Sequence, residues 1–123
     1  MVFPPGWPEN CPPRAAAAPS SAYYRVVKTN PPSPDDFKSY SESGTVRKGG
    51  DLCKRCGLSI FDNWEGANAA RLNFPALGEH IACGNLNAVH GKIMQTGANP
   101  HHCTWWPYDG LDRLSLFEVI LEP

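Results

Sequence analysis

Short runs of β-branched and aromatic residues, separated by proline and glycine, are the feature that most constrains the fold of this chain. Residues 23–28 predict a strand that ends at Asn30-Pro31-Pro32, and residues 58–61 predict a second strand. Three more strand-like stretches cover residues 80–89, 92–96 and 101–106, with turns at Gly91 and residues 97–100 between them. We therefore expect a sheet of short strands.

Two short helices are expected between these strands. Ser33 offers an N-cap, Pro34 suits the first helical position and two acids follow, so a helix should cover about residues 34–41. Asp62 or Asn63 can cap a second helix, which Pro75 closes. The order of elements predicts an α+β fold, a single domain with a mostly antiparallel sheet and two short helices.

Composition divides the chain into two parts. Residues 1–21 contain six prolines and an alanine run, which predicts a tail or an arm packed on an edge, with Phe3 and Trp7 as docking residues. Residues 22–123 form the single α+β domain. Its closing run, residues 114–120, fits either a last strand or a short helix.

Charge and hydrophobicity limit the partners of the chain. Eleven basic and twelve acidic residues give a formal charge of −1, which does not favour nucleic acid, although Arg47-Lys48 and Lys54-Arg55 could form a local basic patch. No apolar run approaches the roughly 20 residues that span a bilayer. The first residues lack the features of a signal peptide. We expect a soluble cytoplasmic protein without a membrane partner.

The five cysteines allow a metal site. An odd count without a signal peptide argues against a disulfide framework and favours free thiols or metal ligands. Cys53 and Cys56, followed by glycine, resemble half of a zinc knuckle. His101 and Cys103 would share one face of a strand and could complete it, with Cys83 as another candidate. The alternative is that these are ordinary reduced cysteines, partly buried.

The segment from His101 to Pro107 holds two of the four histidines and two of the four tryptophans. Imidazole changes charge near neutral pH, which suits acid–base chemistry, but adjacent histidines on a strand face opposite ways. The alternative is a histidine that bonds backbone beside a tryptophan-rich core. Cys103 could also act as a nucleophile with His101, provided that a nearby cation or helix lowers its pKa.

Arg25 breaks the apolar pattern of the first strand. An inward-facing arginine must find an anion, either a carboxylate such as Asp36 or a ligand phosphate. Facing outward, it would be an ordinary solvated side chain. Ser59, in a strand that leads into a helix, could support a ligand or merely cap a turn.

Four motifs resemble those of a group of small, uncharacterised bacterial proteins, to which no activity is attached. They are Tyr-Arg-Val-Val from Tyr24, Thr-Asn-Pro-Pro from Thr29 with Asp36-Phe37, Gly-Leu-Ser-Ile-Phe from Gly57, and the His-Thr-Trp-Trp-Pro cluster near residue 102.

In arrangement, the chain also resembles small ADP-ribosyltransferase-like folds, including the RES toxins that consume NAD. The resemblance implies Arg25 at the first site position, Ser59 at the second, and His102 or Thr104 in the third region, with NAD as cofactor. This chain has neither the glutamate of the third position nor the glycine-rich segment of RES proteins.

Three functions follow as hypotheses. The first is an NAD- or nucleotide-binding transferase-like enzyme with catalytic Arg25, Ser59 and His102. Its ligand-binding residues would be Tyr24, His101, Thr104, Trp105 and Trp106. The second is a zinc-stabilised, non-enzymatic module that binds protein or nucleic acid, with Cys53, Cys56, His101 and Cys103 as metal ligands. The third is a ribonuclease in which a histidine, Arg25 and a lysine converge.

Overall fold

A computed structural model describes residues 1–44 and 50–121 of the chain. It has the predicted α+β architecture, with one six-stranded antiparallel sheet and two α-helices. The strands are β1 (Ala22–Val27), β2 (Leu58–Phe61), β3 (His80–Asn85), β4 (Gly91–Gln95), β5 (His102–Pro107) and β6 (Phe117–Ile120). The helices are α1 (Leu52–Arg55) and α2 (Trp64–Asn73).

The sheet consists of two well-paired halves joined at one point. Its strand order is β4-β5-β2-β1-β3-β6. The β1–β3 ladder registers six residue pairs and the β2–β5 ladder registers four. Between β1 and β2, in contrast, the only registered pair is Tyr24 with Phe61. The two halves therefore separate beyond that pair.

Several element boundaries differ from those predicted. The helix expected at residues 34–41 is a single 3-10 turn, Pro34–Phe37, because the chain is already extended at Lys38. Strand β3 ends at Asn85, and Asn87 caps a 3-10 turn at Ala88–His90. The closing run combines both alternatives, since a 3-10 turn at Leu114–Leu116 leads into β6. Helix α1, capped by Asp51, was not predicted.

One face of the sheet carries the main core. Trp105 lies 5.8 Å from Phe117, and Phe37 lies 5.0 Å from Phe117, as ring centroids. Burying such large apolar side chains is the principal favourable term in folding. The buried members of this main core are Tyr23, Val27, Phe37, Leu58, Ile60, Ala82, Leu86, Cys103, Trp105 and Phe117.

Two separate coverings protect the other face. Helix α2 covers one part of it, where Ala67 packs with Val26, Phe61 and Ile81. The N-terminal arm, residues 1–21, covers another part. There Ala16, Cys56 and Trp106 are buried together, and we call them the arm cluster; Phe3, Trp7, Cys11, Cys53 and Met94 pack against it.

A disulfide between Cys11 and Cys53 ties the arm to α1. The arm also bridges β4, because Ala17 and Ile93 exchange two backbone hydrogen bonds of 2.8 Å. This corrects the expectation that the cysteines would be free thiols or metal ligands: Cys56, Cys83 and Cys103 are free, but Cys11 and Cys53 are bonded. Disulfides persist mainly in oxidising compartments, so this bond does not support the expected cytoplasmic localisation, which stays a prediction.

Among the described residues, no helix combines the length and apolar character that crossing a membrane requires.

Candidate functional site

Ser59 and His102 form a hydrogen-bonded pair on the face of the sheet that carries α2 and the arm. Ser59 lies opposite Thr104 in the β2–β5 ladder, and His102 lies opposite Phe61. Ser59 Oγ is 2.9 Å from His102 Nε2. The imidazole packs edge-on against the Phe61 ring, with centroids 5.3 Å apart. Ser59 is exposed and His102 is half-buried, so a ligand could reach both.

The other ring nitrogen of His102 faces Thr96. His102 Nδ1 is 2.9 Å from the Thr96 carbonyl oxygen and 3.1 Å from Thr96 Oγ1. A carbonyl oxygen only accepts hydrogen bonds, so the hydrogen of the neutral ring belongs on Nδ1. Nε2 is then the acceptor, and the Ser59 hydroxyl donates to it. This is the order of groups in nucleophile–base pairs, in which a third group orients the base.

Glycine at position 57 allows this packing. A Cβ atom at Gly57 would collide with the side-chain methyl group of Thr104, which lies on β5 beside the Ser59–His102 pair. The start of β2 can therefore lie this close to β5 only because residue 57 has no side chain.

Arg25 lies where β1 and β2 separate. Its Nη1 donates to the Ser59 carbonyl at 2.8 Å, and its Nε donates to the Asp36 carbonyl at 2.8 Å. The guanidinium lies over the Phe37 ring, 5.9 Å from the centroid. Burial, the largest influence, lowers the pKa of Arg25 to about 10, which leaves the guanidinium charged at neutral pH. On the β1 side of β2, the Ser59 carbonyl is therefore bonded by the Arg25 side chain and not by a backbone amide of β1.

The carboxylate of Asp36 does not pair with Arg25; it organises the chain that follows β1. It accepts hydrogen bonds from Lys28 N at 2.7 Å, Thr29 Oγ1 at 2.8 Å and Ser33 N at 2.9 Å. Burial raises the pKa of Asp36, but together these hydrogen bonds lower it by more than burial raises it. The pKa of Asp36 is therefore below its usual value. The ionised carboxylate holds the turn that presents the Asp36 carbonyl to Arg25.

The three predicted catalytic residues are thus connected through Ser59, whose carbonyl bonds Arg25 and whose hydroxyl bonds His102. They do not project from one face. Tyr24, opposite Phe61, shares the face of Ser59, so strand alternation starts the Arg25 side chain on the opposite face. Arg25 reaches Ser59 through the gap between the strands, not across a common surface.

The remaining predicted ligand-binding residues are dispersed. Tyr24 packs against the cluster under α2. His101 lies at the surface, where its Nδ1 is 2.8 Å from Asp62 Oδ1. Thr104 is buried beside Thr96.

The prediction that Trp105 and Trp106 bind a ligand requires correction. Both indoles have 0% of their surface exposed. Their Nε1 atoms donate to the backbone, Trp105 to the His90 carbonyl at 3.0 Å and Trp106 to the Cys53 carbonyl at 2.9 Å. Because they lie in two separate hydrophobic clusters, neither ring can stack on a ligand.

The predicted zinc ligands are not brought together. Cys53 is bonded to Cys11 and has no thiolate to offer. Cys103 lies in the main core, whereas Cys56 lies in the arm cluster on the opposite face. His101 precedes β5, so strand alternation does not hold it beside Cys103. No group of three or more histidine, cysteine, aspartate or glutamate residues in segments 1–44 and 50–121 could hold a metal ion.

Cys103 also lacks the environment of a nucleophile. It is buried, and burial raises the pKa of its thiol, which disfavours the reactive thiolate.

Of the suggested basic patch, Arg47-Lys48 lies outside the described residues.

Sequence reasoning missed Thr96. It follows β4 directly and is buried, and its amide donates to the His102 carbonyl at 3.1 Å. A polar residue at the end of a strand, beside the Gly97 turn, was the one signal in the sequence. It did not indicate which residue Thr96 would meet, because that depends on the register between β4 and β5.

The described residues also form two surface cavities, both away from the Ser59–His102 pair. One, of about 240 Å³, is lined by Pro34, Phe37, Lys38 and residues 111–114. The other, of about 420 Å³, is lined by residues 30–32, Leu114 and residues 117–119. Neither is lined by Ser59 or His102, but the first is lined by Phe37, whose ring lies under the Arg25 guanidinium.

Comparison with protein-family models, curated proteins and solved structures gives no match to this chain.

Proposed function

We propose that the chain binds NAD or a related nucleotide where β1 and β2 separate, and that it acts as an ADP-ribosyltransferase-like enzyme. The observation that supports this proposal is the link through Ser59, which bonds Arg25 with its carbonyl and His102 with its hydroxyl. These residues come from β1, β2 and β5, the arrangement that the resemblance implies.

Arg25 suits the recognition of a pyrophosphate. Both of its hydrogen bonds go to neutral carbonyl oxygens, so neither bond pairs the guanidinium with a carboxylate. A planar guanidinium that stays charged binds phosphate oxygens strongly. In this proposal a ligand phosphate approaches the guanidinium where β1 and β2 separate, beyond the single registered pair Tyr24–Phe61, and replaces a carbonyl as its partner.

Ser59 and His102 suit the sugar and the reacting bond. In the proposed reaction, the bond between nicotinamide nitrogen and ribose carbon breaks, and its electron pair leaves with nicotinamide. Water or an acceptor nucleophile forms the new bond to that carbon and passes its proton to His102 Nε2. The Ser59 hydroxyl, which now donates to Nε2, would turn to a ribose oxygen. His102 thus serves in the region where the glutamate of related folds is missing.

The ribonuclease hypothesis has less support. It requires a lysine beside Arg25 and a histidine. Within the described parts of the chain, the lysine ion pair is that of Lys38 with Asp35, and no lysine side chain bonds Arg25, Ser59 or His102.

The proposal is tested by calorimetric titration with NAD and by chromatographic detection of released nicotinamide. We expect binding by the wild type and at least about tenfold weaker binding by Arg25→Lys, because a lysine cannot reproduce the guanidinium fork. His102→Gln should lower nicotinamide release by about 100-fold, as expected for a lost acid–base group. Ser59→Ala, which removes a hydrogen bond to the ribose, should lower it less.

The matched control is His101→Gln, which changes the neighbouring imidazole at its surface contact with Asp62. It should bind and react as the wild type does. Thermal melts should show that each variant is folded at the assay temperature. Wild-type protein that neither binds NAD nor releases nicotinamide would contradict the proposal, as would equal losses in His101→Gln and His102→Gln.

A further inference from the structure

We infer that Thr96 is a positioning residue that fixes the ring of His102 with its hydrogen on Nδ1, and that Thr104 holds Thr96 in place. The catalytic meaning of this arrangement rests on the proposed function. The arrangement itself depends only on the contacts among these three side chains and Ser59.

Thr96 meets His102 at three points. Its amide donates to the His102 carbonyl at 3.1 Å. Its carbonyl accepts from Nδ1 at 2.9 Å, and its hydroxyl oxygen lies 3.1 Å from the same nitrogen. The backbone bond fixes where the two residues lie relative to each other, and the other two contacts fix the orientation of the ring.

The hydroxyl protons fit one consistent pattern. If Nδ1 carries the hydrogen, Thr96 Oγ1 cannot donate to that nitrogen, and the hydroxyl proton is left for another acceptor. Thr104 Oγ1, 2.7 Å away, is the acceptor. Thr96 is 6% exposed and Thr104 is 4% exposed, so water cannot readily replace either bond. Leaving such a buried hydroxyl unpaired is unfavourable, so the pair of threonines should keep this arrangement.

These contacts at Nδ1 determine what the other ring nitrogen, Nε2, presents to Ser59. A ring turned over by half a rotation would point carbon atoms at Thr96 and at Ser59, and would lose contacts on both sides. The two threonines therefore favour one ring orientation, in which Nε2 faces Ser59 Oγ at 2.9 Å as an acceptor. A base held with its free nitrogen toward the reacting groups has the required form before a ligand arrives.

Nitrogen-15 NMR of His102 tests this inference directly. In the wild type, Nδ1 should have the shift of a hydrogen-bearing nitrogen and Nε2 that of an acceptor. Thr96→Val removes the hydroxyl but keeps the carbonyl that accepts from Nδ1, so the hydrogen should stay on Nδ1, while the Nδ1 and Nε2 signals should shift and broaden because the ring loses one of its two fixing contacts. Thr96→Ser should restore the wild-type pattern, and Thr104→Val should have a smaller effect in the same direction.

Kinetics supply the second readout. Thr96→Val should lower kcat for nicotinamide release by about tenfold with little change in KM, because ring orientation and not ligand contact is altered. A wild-type ring with its hydrogen on Nε2 would overturn the inference, as would unchanged Nδ1 and Nε2 signals in Thr96→Val. The wild-type spectrum alone identifies the nitrogen that carries the hydrogen, even if Thr96→Val does not fold. It does so equally if the protein does not bind NAD, so the two proposals fail separately.

Discussion

Trp105 and Trp106 are adjacent in sequence and equally buried, yet they are buried by different parts of the molecule. Trp105 points into the main core, which also contains Phe117, Leu58 and Ile60. Trp106 points to the other face and belongs to the arm cluster, against which the N-terminal arm packs. Strand alternation alone places the two indoles on opposite sides of β5.

The difference shows that equal burial can have unequal support. The main core is closed by residues of the sheet and of the segments that connect its strands. The arm cluster is closed by a segment outside the sheet, held by the Cys11–Cys53 disulfide and by the Ala17–Ile93 bridge. Trp106 itself donates to the Cys53 carbonyl, so its only polar side-chain atom is bonded to the residue that carries the cross-link.

Truncating Trp105 should have the largest effect on stability. Trp105→Ala leaves a cavity in the main core and removes the hydrogen bond to the His90 carbonyl. We expect the free energy of unfolding to fall by about 3–5 kcal/mol, as measured by denaturant titration. The control is Trp7→Ala, which removes a half-buried arm residue and should cost clearly less. Equal losses in the two variants would contradict the distinction between core and arm.

Removing the cross-link should have a smaller and more local effect. The bond joins residues that are 42 positions apart. We expect replacement of both Cys11 and Cys53 by serine to cost about 2–4 kcal/mol, chiefly because the unfolded chain regains freedom. Hydrogen exchange should accelerate at the amides of Ala17 and Ile93, which bond across the bridge.

The matched reference in that experiment is the β1–β3 ladder, which the arm cluster does not include. Its amides should keep their order of protection relative to the rest of the sheet. Unchanged exchange at Ala17 and Ile93 would show that the arm stays docked without the disulfide.

Local sequence signals predicted the elements of this fold better than their partners. Residues 58–61 were predicted as a strand and form β2, because β-branched and aromatic residues between turn signals identify strands locally. The arm's disulfide could not be predicted in this way. Its cysteines lie in segments of unlike composition, and an odd cysteine count favoured free thiols.

The candidate site was predictable in part for the same reason. Arg25 stood out because it interrupts an apolar strand, and its need for oxygen partners is general chemistry. That these partners are the carbonyls of Ser59 and Asp36 follows from the separation of β1 and β2, which no local pattern encodes. The burial of Trp105 and Trp106 likewise depends on what covers each face of the sheet.

The reactivity of the free thiols offers the smallest expected difference between the main core and the arm cluster. Cys103 lies with Trp105 in the main core, and Cys56 lies with Trp106 in the arm cluster. Burial raises the pKa of both thiols, so both should react slowly with iodoacetamide at neutral pH in the wild type. After replacement of Cys11 and Cys53 by serine, Cys56 should become reactive while Cys103 stays protected.

Peptide mapping by mass spectrometry over a time course would measure both rates in one sample. Cys83, a half-buried thiol on β3 outside the arm cluster, is the internal control, and its rate should not change. A parallel rise at Cys56 and Cys103 would mean that loss of the disulfide opens the whole domain. Continued protection of Cys56 would mean that the disulfide is not what keeps it covered. The predicted order, in which Cys56 alone gains reactivity, requires that the arm cover its cluster without supporting the main core.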